Sequence, residues 1–156
     1  MSTKICDHKS VGMLAWKDSK LLLIERKRFP FGFAPPAGHL DQDNSFEKAA
    51  KRELKEETSL KAASLKLVLD AKKNNVCRRI GGNWHHWKIY EIKTTGKVKR
   101  NPVETKQIGW YSLNEIKILV KITASYLKGK ITEEKWQQKP GIETVWYDWF
   151  KELKII

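Results

Sequence analysis

Several features that would point to other classes of protein are scarce or absent in this sequence. No apolar run approaches the roughly 20 residues that cross a bilayer, and the first ten residues, MSTKICDHKS, lack the apolar stretch of a secretory signal. The two cysteines, Cys6 and Cys77, lie far apart without the spacing of a disulfide framework. No internal repeat or low-complexity tract is present. We therefore expect a globular protein of a reducing, cytoplasmic compartment.

Acidic residues are also few, with 18 Asp and Glu against 31 Lys and Arg, for a net charge of +13. A basic surface attracts polyanions, so nucleic acids and phosphate-rich ligands become candidate partners. The lysines are scattered rather than gathered into one tract, and this equally fits a solvated surface without such a role. A length of 156 residues with 40% hydrophobic content predicts one domain over residues 1–156.

Short apolar runs alternate with amphipathic segments along the chain, which predicts a mixed α/β domain. Strands are predicted at 11–16, 21–27, 65–70, 84–92 and 107–111, and the Pro- and Gly-rich segment 30–44 is predicted to be mostly loop. A helix should run from about Ser45 to Thr58, capped by Asn44 or Ser45. A second helix is predicted to begin with a capping box at Ser112 and to end at Gly129. An amphipathic stripe that includes Trp146 and Trp149 follows Pro140.

The helix over 45–58 carries an unusual arrangement of charge. On a helical wheel Glu53, Glu56 and Glu57 fall in the same sector as the apolar residues, whereas the lysines fall on the opposite face. The three carboxylates repel one another and lie near the helix C-terminus, where the dipole disfavours negative charge. A hard divalent ion with oxygen ligands removes both penalties, whereas the alternative is a solvated acidic patch.

From Gly38 to Leu60 the sequence resembles the Nudix box, Gx5Ex7REUxEExGU, in which U is a bulky aliphatic residue. Gly38 matches the first glycine, Arg52 to Leu54 match REU, and Glu56 and Glu57 match EE. Two positions depart from the pattern: Asn44 stands in place of the first glutamate and Ser59 in place of the second glycine. Asn44 removes a carboxylate, which leaves open a weakened or binding-only protein.

The resemblance implies a Nudix-type α/β/α sandwich, with a mixed sheet between helices, that splits a diphosphate linkage in a nucleoside diphosphate-X substrate. It implies that Glu53, Glu56 and Glu57 bind Mg²⁺ or Mn²⁺ together with a backbone carbonyl of Ala37 or Gly38. The implied catalytic residues are Glu53, Glu57, Arg52, which would orient the carboxylates through a bidentate contact, and Glu104, a further carboxylate in a later loop. Two alternatives remain: an RNA 5′-end pyrophosphohydrolase, and a weakly catalytic module that binds nucleotides or nucleic acid. A homodimer is also left open.

Two further groups of residues are candidates for ligand binding. The first group is a predicted substrate wall, on which a base would stack against an aromatic ring while arginines bind phosphate. Its residues are Arg78, Arg79, Trp84 and His86. At least one of Trp84 and Trp87 should instead belong to the core, because neighbouring strand residues face opposite ways. A zinc set of Cys6, His8, Cys77 and His85 or His86 is the second group, although its spacing matches no recognised zinc pattern.

Overall fold

The computed structural model describes residues 3–156, which form seven strands and four helices. The strands are β1 (Lys9–Lys17), β2 (Lys20–Arg26), β3 (Phe33–Ala34), β4 (Ala37–His39), β5 (Lys61–Lys73), β6 (His85–Thr95) and β7 (Thr105–Tyr111). The helices are α1 (Phe46–Thr58), α2 (Leu113–Leu127), α3 (Glu133–Gln138) and α4 (Thr144–Glu152). No helix within residues 3–156 has the length and apolar character to cross a membrane.

The first two strands, both predicted, pair as a hairpin. Trp16 pairs with Leu21 and Lys17 with Lys20, so the connection contains only Asp18 and Ser19. Both of these residues have positive φ, 50° and 61°, which is the geometry of the two-residue turn whose twist matches that of the strands it joins.

The sheet is mixed, and β1 lies at its centre. Strand β1 runs parallel to β6, from the pair Lys9–His86 to the pair Ala15–Ile92, and antiparallel to β2 and β4. Strand β5 extends one side by pairing with β6, while β7 and β3 pair with β2 on the other. Strands β1 and β2 pair only next to their turn, so the sheet separates into two halves beyond it. The cleft described below is lined by residues of β1, β2 and β4.

Alternating residues of β1 and β2 serve two separate cores, one on each face of the sheet. Met13 and Leu22 pack with helix α1, whereas Leu14 and Leu23 pack with helices α2 and α4. Trp146 and Trp149 are fully buried in the second core, and Trp87 joins them there, as predicted for one tryptophan of that strand. Helices on both faces of a mixed sheet confirm the predicted α/β/α arrangement.

The structure contains more strand residues than the sequence predicted. Segment 30–44, predicted to be mostly loop, contains β3 and β4, because Phe33 and Ala34 pair with β2 and residues 37–39 pair with β1. Strand β5 runs from residue 61 to 73 rather than from 65 to 70. The capping box of α2 is confirmed, with Ser112 and Glu115 exchanging hydrogen bonds. Ser45 rather than Asn44 caps α1, since its side chain accepts from the Lys48 amide.

Helix α1 ends at Ser59, which has a left-handed backbone conformation and stands where the Nudix box has glycine. Its φ is 65° and its amide donates to the Lys55 carbonyl at 2.9 Å. Because only glycine adopts this conformation without a side-chain penalty, we expect Ser59→Gly to raise the free energy of unfolding by about 1 kcal/mol. Chemical denaturation measures this change. Ser59→Ala is the control, and an equal gain from alanine would contradict the conformational explanation.

Candidate active site

Helix α1 directs two of its three clustered carboxylates into a cleft. Glu53 and Glu57 are buried, with exposures of 9% and 3%, whereas Glu56 is exposed on the rim. The prediction that all three share the inward face is therefore wrong for Glu56, which lies at the edge of the apolar sector. Gly38 lets Glu53 lie directly against β4, because a Cβ atom at position 38 would stand 2.2 Å from the Glu53 carboxyl carbon.

The two buried carboxyl groups are electrostatically strained without a cation. Burial raises the pKa of Glu53 to about 7, against the lowering effect of Arg52. Burial and the neighbouring Glu53 charge raise the pKa of Glu57 well above its ordinary value. Glu104 raises the pKa of both groups, which places its charge near them. Within the described residues, Glu57 Oε2 is buried without a hydrogen-bond partner.

Arg52 links helix α1 to β4 and to the loop between β4 and α1. Its Nη1 contacts Glu53 Oε1 at 2.8 Å and Glu56 Oε2 at 3.3 Å, so it bridges two carboxylates rather than making a bidentate contact with one. Its Nε donates to Asp43 at 2.6 Å, and its Nη2 donates to the His39 carbonyl at 2.9 Å. These bonds hold the Glu53 carboxylate and the backbone of β4 close to Arg52, and a catalytic role for Arg52 stays a prediction.

The cleft is also lined by residues of strand ends and loops, only some of which the sequence indicated. The cleft is lined by two groups of opposite charge: Arg26, Arg28, Arg78 and Arg79 on one hand, and Glu53, Glu57, Glu104 and Glu143 on the other. Ala37 and Gly38 also line it. Arg26, Arg28 and Glu143 were missed because they lie outside the box and belong to no motif. Basic and acidic groups facing one cleft suit a ligand that carries both phosphates and a cation.

The predicted substrate wall is only partly assembled. Arg78 and Arg79 line the cleft, but Arg79 is committed to a bidentate pair with Asp41 through both of its terminal nitrogens. Trp84 does not line the cleft and stacks on His8, with ring centroids 4.2 Å apart. His86 also lies outside the cleft, because it points to the other face of β6 and contacts Asp70 at 2.5 Å.

Beside the cleft, three residues of the zinc set predicted from the sequence come together. Cys6, Cys77 and His85 lie in one cluster, and both cysteines are free thiols. The fourth member of the cluster is His39 rather than His8 or His86. No sequence signal indicated His39, because its neighbours in the cluster lie more than 30 residues away along the chain.

Glu143, at the start of α4, gives the cleft a pH-dependent stability. Complete burial raises its pKa to about 7, although the Arg26 guanidinium lies 3.8 Å away. A raised folded-state pKa contributes stability that is present below about pH 4.5 and is lost as the pH rises through 7. At pH 8 we expect Glu143→Gln to unfold with a free energy up to about 3 kcal/mol higher than that of the wild type. Urea unfolding of both proteins at pH 4.5 and 8 measures the difference, which should vanish at the lower pH.

Comparisons with known proteins agree with this fold. A family model described as the NUDIX domain matches residues 7–140, and the chain belongs to the Nudix family. The predictions of family and fold class are thereby confirmed. Among solved structures, the MutT protein from Methanosarcina mazei Go1 superposes with a TM-score of 0.65 at 15% identity, covering 99% of this chain and 96% of that one.

Two further similar proteins act on or bind ADP-ribose, according to their names. An ADP-ribose pyrophosphatase from Methanocaldococcus jannaschii is 50% identical over 46 residues, 28% of this chain and 27% of the relative. The chain thus spans about a quarter of the length of that curated relative. The NUDIX domain of Shewanella oneidensis NrtR, crystallised with ADP ribose, has a TM-score of 0.57 at 18% identity, with 76% of this chain and 79% of that one covered. At that identity the likeness to NrtR shows the fold alone.

Proposed function

We propose that this protein is a divalent-cation-dependent pyrophosphohydrolase that splits the diphosphate linkage of a nucleoside diphosphate-X substrate. One observation carries the proposal. Two buried carboxylates, Glu53 and Glu57, face a cleft that is also lined by arginines, and one oxygen of Glu57 has no partner among the described residues. A buried carboxylate oxygen without a partner is costly unless a cation or a proton neutralises it.

The donor set of the cleft fits Mg²⁺ or Mn²⁺. These ions prefer oxygen ligands; Glu53 and Glu57 line the cleft, and Ala37 and Gly38, which also line it, would add a backbone carbonyl oxygen. Glu56, on the exposed rim, would join them through its free oxygen or through water. When bound, the cation would neutralise the bridging phosphates and make an attacking water more acidic.

The residues of the chain divide the remaining work. Arg52 holds Glu53 in place through its 2.8 Å contact, so the buried carboxylate is oriented before the ligand arrives. Arg26, Arg28 and Arg78 line the cleft and would bind phosphate oxygens. We assign to Glu104 the acceptance of a proton from the attacking water, because it faces the same cleft from the loop before β7 and its charge acts on both buried carboxyl groups.

ADP-ribose is the substrate that we would test first. The Methanocaldococcus jannaschii relative is described as an ADP-ribose pyrophosphatase, and its 46 matched residues are half identical to this chain. The NrtR domain was crystallised with the same molecule. The match to the pyrophosphatase favours a nucleoside diphosphate linked to a sugar as the first substrate to test.

The departure at Asn44 does not favour the binding-only alternative. Asn44 is exposed, while three carboxylates, Glu53, Glu57 and Glu104, remain in the cleft. The RNA 5′-end alternative rests on the net charge of +13 and on the arginines of the cleft. A reducing, cytoplasmic setting, a single domain over residues 1–156 and a homodimer stay predictions.

The test is a panel of substrates with Mg²⁺ or Mn²⁺: ADP-ribose, NADH, dinucleoside polyphosphates, nucleoside triphosphates and 5′-triphosphorylated RNA. We expect release of AMP and ribose 5-phosphate from ADP-ribose, with one atom of ¹⁸O from labelled water incorporated into one of the two products. Preference for the RNA would favour the RNA alternative. Tight binding of nucleotides without turnover of any substrate, in a folded protein, would contradict catalysis and support the binding module.

A further inference from the structure

Four side chains that can bind a transition metal converge from four separate segments, and three of them, His39, Cys77 and His85, also line the cleft. They are Cys6 in the N-terminal segment, His39 in β4, Cys77 in the loop between β5 and β6, and His85 at the start of β6. We refer to these four residues as the Cys₂His₂ cluster. Their ligand atoms all lie within 4.8 Å of one another. We propose that the Cys₂His₂ cluster binds one Zn²⁺ ion.

The separations in the cluster match the edges of a small tetrahedron. With Zn–S bonds of about 2.3 Å and Zn–N bonds of about 2.0 Å, tetrahedral geometry requires S–S edges of about 3.8 Å and S–N edges of about 3.5 Å. Cys6 Sγ lies 3.8 Å from Cys77 Sγ, 3.6 Å from His39 Nε2 and 3.3 Å from His85 Nε2. The remaining pairs lie within 4.8 Å, so each needs to close by at most about 1.5 Å, which side-chain rotation supplies.

Backbone amides point at both sulfur atoms. The His8 amide donates to Cys6 Sγ at 3.3 Å and the Arg79 amide donates to Cys77 Sγ at 3.3 Å, each from the residue two positions later in the chain. Two cysteines from distant segments thus have the same local geometry. Amide donors stabilise sulfur in its thiolate form, which is the form that binds metal.

A second contact fixes the orientation of one imidazole. His85 Nδ1 lies 3.1 Å from Asn75 Oδ1, an oxygen that only accepts, so Nδ1 carries the proton and Nε2 presents its lone pair to the cluster. Metal-binding histidines have this kind of partner on their outer nitrogen. Asn75 Oδ1 also accepts from Trp87 at 3.1 Å, which locks the amide in place.

The backbone around the cluster leaves room for the sulfur atoms. A Cβ atom at Gly82 would stand 2.1 Å from Cys77 Sγ, so glycine is required for this approach. The Cys77 amide donates to the Gly82 carbonyl, and the Cys6 amide to the Ile80 carbonyl, at 2.8 and 2.9 Å. These bonds bring the N-terminal segment against the loop at 74–84, where little other regular structure is present.

Four protein ligands leave no open coordination position, so the ion would be structural rather than catalytic. It would join the N-terminal segment, β4 and the loop that carries Arg78 and Arg79. His39 directly follows Gly38, and its carbonyl accepts from Arg52. Zinc in the cluster would therefore hold the arginine loop in register with the carboxylates of α1. This role is separate from that of the cation proposed for Glu53 and Glu57, which takes oxygen ligands.

Metal analysis of the purified protein tests the proposal. Wild type produced in zinc-supplemented medium and purified without chelators should retain about one Zn²⁺ per chain. Cys77→Ser and His85→Ala should lose most of it, whereas His8→Asn, a neighbouring histidine outside the cluster, should keep it. Glu57→Gln should also keep it, which separates this zinc from any ion in the carboxylate cleft. Equal zinc in wild type and Cys77→Ser would overturn the proposal.

A spectroscopic measurement covers the case in which the ligand variants fail to fold. Co²⁺ titrated into metal-free wild type should produce the visible bands of a tetrahedral ion and a thiolate-to-cobalt charge-transfer band, saturating at about one equivalent. Stoichiometric Zn²⁺ should abolish both. Absence of these bands would overturn the proposal. So would a purified protein that is two hydrogens lighter than its sequence mass and has no titratable thiols, because the cysteines would then form a disulfide.

Discussion

Replacing Glu57 with glutamine is expected to lower turnover about 1000-fold while leaving the fold intact. The glutamine side chain has the shape of the carboxylate it replaces, but it cannot neutralise a cation. Without the cation, the charge on the phosphates is less stabilised in the transition state, and the activation free energy rises by several kcal/mol. A rise of about 1.4 kcal/mol corresponds to a factor of ten in rate. The effect should be large because Glu57 is 3% exposed and its Oε2 has no other partner among the described residues.

The measurement is kcat/KM for the preferred substrate as a function of Mg²⁺ concentration. Glu47→Gln is the matched control, because Glu47 lies on the same helix but contacts Tyr90 at 3.0 Å outside the cleft. Glu56→Gln should show an intermediate loss, since its side chain is 51% exposed and one oxygen already contacts Arg52. Turnover of Glu57→Gln within tenfold of wild type would contradict the assignment of Glu57 to the cation.

The second large effect is expected from Gly38→Ala, a change of a single methyl group. The added Cβ would lie 2.2 Å from Glu53 Cδ and 2.5 Å from Glu53 Oε1. Carbon atoms pack at about 3.5 Å, so either Glu53 or β4 must move by about 1 Å. A displacement of that size at a catalytic group costs about 100-fold in rate.

Activity and thermal unfolding should be measured together for Gly38→Ala. Gly109→Ala is the control, because a Cβ atom at that strand position meets nothing closer than Tyr111 at 3.4 Å. We expect Gly109→Ala to keep its activity and Gly38→Ala to need more Mg²⁺ for half-maximal rate. A Gly38→Ala variant with wild-type kinetics would show that Glu53 does not have to lie against β4.

The catalytic helix could be predicted because its information is local. The capping residue placed its start within a residue, and the helical wheel placed Glu53 and Glu57 on its inner face. The wheel could not decide the environment of Glu56, because a residue at the edge of the apolar sector is buried or exposed according to what packs beside the helix. The left-handed conformation of Ser59 was predictable for the same local reason.

The rest of the cleft depends on contacts between distant segments. Arg26 ends a strand and Glu143 precedes a helix, and neither has a feature that distinguishes it from other charged residues on such elements. His39 joins the Cys₂His₂ cluster only because β4 pairs with β1 beside β6. The two short strands β3 and β4 were missed for a similar reason, since they are stabilised by pairing rather than by their own composition.

The parallel pairing of β1 with β6 also has a consequence for the nascent chain. Residue 9 pairs with residue 86, so the strand at the centre of the sheet must wait for a partner that is synthesised much later. At about 5–20 residues per second the ribosome takes roughly 4–15 s to make the intervening chain. Until β6 emerges, the edge of β1 that pairs with it lacks its partner, and an open strand edge is prone to pair with other chains. Folding of this protein in a cell should therefore depend on protection of that edge until β6 has emerged.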